Sequence, residues 1–83
     1  MNSTLEMPII VIDDELYKAR KKHPYFPEDP SEALSIIMEE VGELAAAIND
    51  HESDERMVEE AAHVAVTAFR FIENILGKKN EAK

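Results

Sequence analysis

Cysteine and tryptophan are both missing from this chain, and only two of its 83 residues are glycine. Without cysteine, neither a disulfide framework nor a thiolate metal site is possible. Long apolar runs are missing too: nothing approaches the ~18 residues that would span a membrane. Residues 1–8 carry neither the basic start nor the apolar stretch of a secretory signal, so the expectation is a cytoplasmic protein with no membrane partner. Basic residues are scarce, 9 against 18 acidic ones, giving a formal charge of −9. A general nucleic-acid binder must neutralise phosphates with Lys and Arg, so no nucleic-acid polymer is expected as a partner. A metal-dependent enzyme for phosphate compounds remains open, because a bound cation inverts the local charge.

What is present is apolar surface in a short chain: 45% of the residues are hydrophobic by the broad count. The length fits one domain. A domain this small buries a modest share of its surface, and no disulfide helps it. The spare apolar surface is best placed between subunits, so a homo-oligomer is expected.

No repeats or low-complexity tracts interrupt the pattern. Residues 1–8 read as a tail that ends at Pro8, a residue suited to the first position of a helix. Ile9, Ile12, Leu16 and Ala19 then recur at helical spacing through residue 22. Asp13, Asp14 and Glu15 lie early in this segment and Lys18, Arg20, Lys21 and Lys22 late, an order that suits the helix macrodipole. The β-branched start at 9–12 is also compatible with an extended segment. Two prolines in residues 23–29, H-P-Y-F-P-E-D, end the helix and hold a loop. Asp29, Pro30 and Glu32 fit the N-cap, first and third positions of a second helix reaching about Asp50. Residues 49–53 form a polar turn, and Ser53 or Asp54 caps a third helix that runs to about Leu76 and stops at Gly77. Residues 9–77 are thus the domain and 78–83 a polar tail.

On the wheel of the second helix, Leu34, Ile37, Met38, Leu44, Ala45 and Ile48 fall within about 60° of Val41, a core stripe. Glu40 and Glu43 occupy a second side with Ala33, Ile36 and Ala47. On the third helix Val58, Ala61, Ala62, Ala65, Phe69, Ile72 and Leu76 form the core stripe. Its second side is a polar column of Arg56, Glu60, His63, Thr67, Arg70 and Asn74, flanked by Val64 and Phe71. The expected fold class is all-α: an antiparallel bundle of two long helices and a shorter N-terminal one, completed by oligomerisation.

Glu40 and Glu43, like Glu60 and His63, are three residues apart and point the same way. Antiparallel packing through the 49–53 turn brings the two pairs together. Carboxylates so close repel unless a cation intervenes, and Mg²⁺ or Mn²⁺ is the natural one for oxygen ligands. E-x-x-E also occurs on many solvated helices, but the flanking Ile36, Ala47, Val64 and Phe71 argue against plain solvation. Tyr25 and Phe26, in the rigid loop, either stack on a base or cap the core. Lys18, Lys21 and Lys22 either meet phosphates or form a solvated helix end.

Glu39-Glu40-Val41-Gly42-Glu43-Leu44, followed by Glu59-Glu60-Ala61-Ala62-His63, resembles the MazG-like nucleoside triphosphate pyrophosphohydrolases, whose signature is E-E-x-x-E followed by E-x-x-D on the next helix. The resemblance spans about residues 9–76. It implies an all-α homodimer or homotetramer that uses Mg²⁺ (or Mn²⁺) to cleave a nucleoside triphosphate to the monophosphate and pyrophosphate. Carried over, Glu40, Glu43 and Glu60 would be metal ligands, with His63 at the fourth ligand position, and Glu39 would be the catalytic carboxylate. Lys22, Tyr25, Phe26 and Asn74 are the candidate substrate-binding residues.

His63 stands where the signature has its last Asp, which removes a negative charge and a hard oxygen. Imidazole is a poor partner for Mg²⁺ and a good one for transition metals. The substitution therefore moves the expected preference towards Mn²⁺, or weakens the chemistry. The alternative function is a catalytically weakened or inactive helical interaction module that has kept the fold.

Overall fold

The computed structural model describes residues 3–81, and these are helical with no strand among them: α1 (Ser3–Lys22), α2 (Pro30–Asn49) and α3 (Asp54–Glu81). The start of α2 follows the sequence expectation. Asp29 sits in an extended conformation, its Oδ2 accepts a hydrogen bond from the Glu32 N–H at 3.1 Å, and Pro30 opens the helix. At the other end the Glu52 N–H donates to the Ala47 carbonyl at 3.0 Å, while His51 takes the left-handed backbone (φ 53°) usually given to glycine. Ser53 Oγ then accepts from the Arg56 N–H at 3.2 Å and caps α3.

Both outer boundaries differ from expectation. The first helix begins at Ser3, so Pro8 lies inside it rather than opening it, and residues 3–8 are not a tail. With 20 residues, α1 equals α2 in length and is not the shorter helix. The third helix passes through Gly77 to Glu81. No positive φ develops at Gly77, and Lys78 and Lys79 favour the negative end of the helix dipole. Lys78 Nζ also donates to the Glu28 carbonyl at 2.9 Å, tying this last turn to the loop. Residues 1–2 and 82–83 of the expected tails lie outside the described residues.

Helix α3 is the centre of the fold. Both α1 and α2 pack along it, and they do not pack on each other. What α3 turns inwards is its polar column. Glu60, Thr67 and Arg70 are buried, together with only small apolar residues: Ala33, Ala47, Ala62 and Val66. Apart from Ala62, the expected core stripes turn outwards or stay half-buried. Leu34, Met38, Val41 and Ile48 of α2 and Val58, Phe69, Ile72 and Leu76 of α3 are exposed, Met38 at 57% and Ile72 at 53%. Ala45 and Ala61 are exposed with them, while Ile37, Leu44 and Ala65 are half-buried. The physical reason is geometric: Ala33 and Ala47 on the mixed face of α2, with Ala62 on α3, allow close helix approach, and the long polar side chains of α3 find partners in the loop and on α1.

That loop, residues 23–29, is held by side chains spaced four apart on α3. Arg70 Nη2 donates to the His23 carbonyl at 2.8 Å, and Asn74 Nδ2 donates to the Phe26 and Pro27 carbonyls at 3.1 Å each. A bidentate pair between Arg20 and Glu73, 2.9 Å for each oxygen, fixes the end of α1 beside them. The result is a flat molecule, only 19 Å in its shortest extent, with a radius of gyration of 14.2 Å. A compact chain of this length would have about 12 Å. No helix among the described residues is long and apolar enough to cross a membrane.

Candidate metal centre and adjoining cleft

Because α1 and α2 rest on α3 without meeting, a cleft of about 700 Å³ opens between them. Its floor is α3, through His63, Val66, Thr67 and Arg70; α1 supplies Glu15, Lys18, Ala19 and Lys22, and α2 supplies Ile36, Glu39 and Glu40. The 23–29 loop closes one end with His23, Tyr25, Phe26 and Pro27. Its size is that of a small-molecule site. One end is acidic and the other aromatic and basic.

At the acidic end Glu40, Glu60 and His63 each offer a ligand atom, all within 4.8 Å of one another. His63 Nδ1 lies 3.8 Å from Glu40 Oε2 and 3.8 Å from Glu60 Oε1, too long for hydrogen bonds. Glu60 is 5% exposed, and its Oε1 accepts from Arg56 Nη2 at 2.9 Å. Arg56 also binds Glu52 and Glu59, and the bonds to Glu52 and Glu60 raise its pKa. Among the described residues, Glu40 Oε2 and Glu60 Oε2 are buried without a hydrogen-bond partner. A buried, unpaired carboxylate oxygen costs at least about 1–3 kcal/mol. Two carboxylates in one cluster, each with such an oxygen, are an arrangement a cation relieves.

The Glu40 carboxyl is held above its ordinary pKa of 4.5. Burial is the main cause; Glu43 adds to it by hydrogen bonding and repulsion and Glu60 by repulsion, while His63 opposes. Glu43 is exposed and stands next to Glu40 rather than within the triplet. Glu39 is exposed on the cleft wall.

At the other end Arg70, 7% exposed, lies 5.4 Å from the Phe26 ring centre. Burial, and the charge of Arg20, lower its pKa, but an arginine stays charged in any protein. Tyr25 is almost fully exposed at the rim. Lys22 lines the cleft, as does Lys18, whose pKa is raised chiefly by its pairing with Asp14 at 3.1 Å. Lys21 faces away, over the Tyr17 ring. Asn74 is not part of the lining: it holds the loop that carries Phe26.

No family model, curated protein or solved structure matches this chain. The functional reading therefore stands on the site itself and on the short motifs at 39–44 and 59–63.

Two residues of the site carry no role in the sequence reading. Glu15 of α1 accepts or shares a hydrogen bond with His63 Nε2 at 3.0 Å. Its signal was a carboxylate placed three residues after Ile12 and four before Ala19, on the apolar face of α1. Arg70 stood in the polar column of α3, but spacing alone did not separate a buried cation from a solvated one.

Proposed function

We propose that the protein is a metal-dependent nucleoside triphosphate pyrophosphohydrolase of MazG-like type. The observation that carries this reading is the cluster of Glu40, Glu60 and His63, in which each carboxylate keeps one buried, unpartnered oxygen, beside a cleft whose other end is aromatic and cationic. The donor set fits a divalent ion. Glu40, Glu60 and His63 would hold it, with Glu43 next to Glu40 able to add a further oxygen. Neighbouring ligand atoms on an octahedral ion with bonds of ~2.1 Å stand about 3.0 Å apart, so an ion would draw in the atoms now 3.8 Å from His63 Nδ1 by under an ångström. One nitrogen among the oxygens favours Mn²⁺ over Mg²⁺. When bound, the ion would supply charge neutralisation for the phosphates and a lowered pKa for water.

The chain's own groups then divide the work. Phe26 and Tyr25 stack on the base, with the Arg70 guanidinium behind Phe26. Lys22 and Lys18 face the triphosphate from α1. Glu39, exposed to the cleft water, takes the proton as water attacks the α-phosphorus. The bond from that phosphorus to its bridging oxygen breaks, and pyrophosphate leaves with the electron pair.

The same reading includes the assembly. The outward stripes of α2 and α3 are apolar and lie on helices already packed together, so a second copy covers them best. Paired through these stripes, two chains would complete an antiparallel bundle with two-fold symmetry. The exposed stripe also favours the second reading, an interaction module without catalysis. A screen of common nucleoside triphosphates for pyrophosphate release, with Mn²⁺ and with Mg²⁺, separates the two. Release that needs the metal supports the hydrolase, and none with any nucleotide supports the module.

A further inference from the structure

We infer that Glu15 is a positioning residue for the metal centre: by accepting the Nε2–H of His63 it fixes the imidazole tautomer that turns a bare Nδ1 towards Glu40 and Glu60. The inference rests on the metal site proposed above, but not on the nucleotide chemistry.

The geometry carries it. His63 Nε2 lies 3.0 Å from Glu15 Oε1. An ionised carboxylate can only accept, so the ring nitrogen must donate. A neutral imidazole protonated on Nε2 has its lone pair on Nδ1. That atom looks at one oxygen of Glu40 and one of Glu60, both at 3.8 Å, with no hydrogen bond to either. The three groups around the ring come from three helices: Glu15 from α1, Glu40 from α2 and Glu60 from α3. Glu15 is itself anchored, its side chain 13% exposed and its Oε2 3.6 Å from Lys18 Nζ. The arrangement is the carboxylate–histidine pairing that orients metal-binding imidazoles elsewhere and makes them more basic ligands. It also gives α1 a role in the site, although the three ligands lie on α2 and α3 alone.

The test uses Glu15→Ala and Glu15→Gln in the full chain. Nitrogen-15 spectra of the metal-free protein, at a pH where the ring is neutral, read the tautomer, with the His63 signal assigned by its loss in His63→Gln. Mn²⁺ titration by calorimetry reads the site. Wild type should carry its proton on Nε2. Glu15→Ala should lose that bias and bind Mn²⁺ roughly tenfold more weakly. Glu15→Gln keeps an accepting oxygen of the same reach, so it should restore the tautomer and most of the affinity. A wild-type ring protonated on Nδ1, or unchanged Mn²⁺ affinity in Glu15→Ala, overturns the inference. Wild-type protein that binds no Mn²⁺ sinks the metal site, while the tautomer still judges Glu15. Lack of pyrophosphate release counts against the hydrolase alone.

Discussion

Arg56 satisfies one oxygen of Glu60 and leaves the other alone: Nη2 donates to Oε1 at 2.9 Å, while Oε2 is buried without a partner. Glu60 is thus half-neutralised by Arg56, and the same Oε1 lies 3.8 Å from His63 Nδ1. Glu60→Gln keeps the shape and removes the charge. The metal-free variant should be no less stable than wild type by chemical denaturation, because the repulsion with Glu40 disappears. Its Mn²⁺ affinity should fall by at least about tenfold. A clear loss of metal-free stability with unchanged metal affinity would mean that Glu60 serves only as a structural partner of Arg56.

Glu40 sets a pH dependence whose sign follows from its raised pKa. The folded chain binds this proton more tightly than the unfolded chain, where the ordinary value of 4.5 applies. Its contribution to stability is therefore fully present below 4.5 and is lost as pH rises through the folded value. In metal-free protein, the stability difference between Glu40→Gln and wild type should widen in favour of the variant across that window. Metal affinity of the wild type should move oppositely, falling as the proton competes for Glu40 on acidification. Parallel pH curves for wild type and variant would remove Glu40 from the site.

The outward stripes predict self-association. Phe69, 44% exposed on one chain, lies on the α3 stripe. Phe69→Glu places a charge on the stripe that the proposed second copy would cover. Sedimentation at micromolar concentration should show an oligomer for wild type and a smaller species for Phe69→Glu, with helicity reduced in the variant because the flat monomer lacks a sufficient core. A wild-type monomer that is fully folded would contradict the assembly.

The sequence makes the local features legible and leaves the inside-or-outside choice open. Asp29, Pro30 and Ser53 mark helix starts because capping is decided within three or four residues. Glu40, Glu60 and His63 come together because spacing along a helix fixes their direction, while Glu43, expected to join them, stays exposed beside the cluster. Periodicity shows that each of α2 and α3 has two usable faces, yet it cannot say which face meets the same chain. The apolar stripe therefore read as the core, while the structure buries the alanine-bearing polar face. Glu15 was legible only as an acidic residue early in a helix, since its partner lies 48 positions away. Gly77 read as a stop, but nothing forces a left-handed turn there and the Lys78 contact with the loop carries the helix on.

Asn74 reaches the cleft only through the loop it holds. Asn74→Ala removes two donors to the Phe26 and Pro27 carbonyls, each worth about 0.5–1.5 kcal/mol. The base-stacking end should loosen while the metal end is untouched. The expected result is a KM several-fold higher with kcat and Mn²⁺ affinity nearly unchanged. A fall in kcat at constant KM would place Asn74 at the reacting phosphates instead.

The claim on which the whole account rests is that Glu40, Glu60 and His63 hold a divalent ion. Calorimetric titration of the metal-free protein with Mn²⁺, run beside Mg²⁺ and repeated on His63→Asp, tests it most directly. The account predicts one site per chain, tighter for Mn²⁺ in the wild type and shifted towards Mg²⁺ when an oxygen replaces the imidazole. No binding of either ion, or affinities for both that do not respond to His63→Asp, would contradict it.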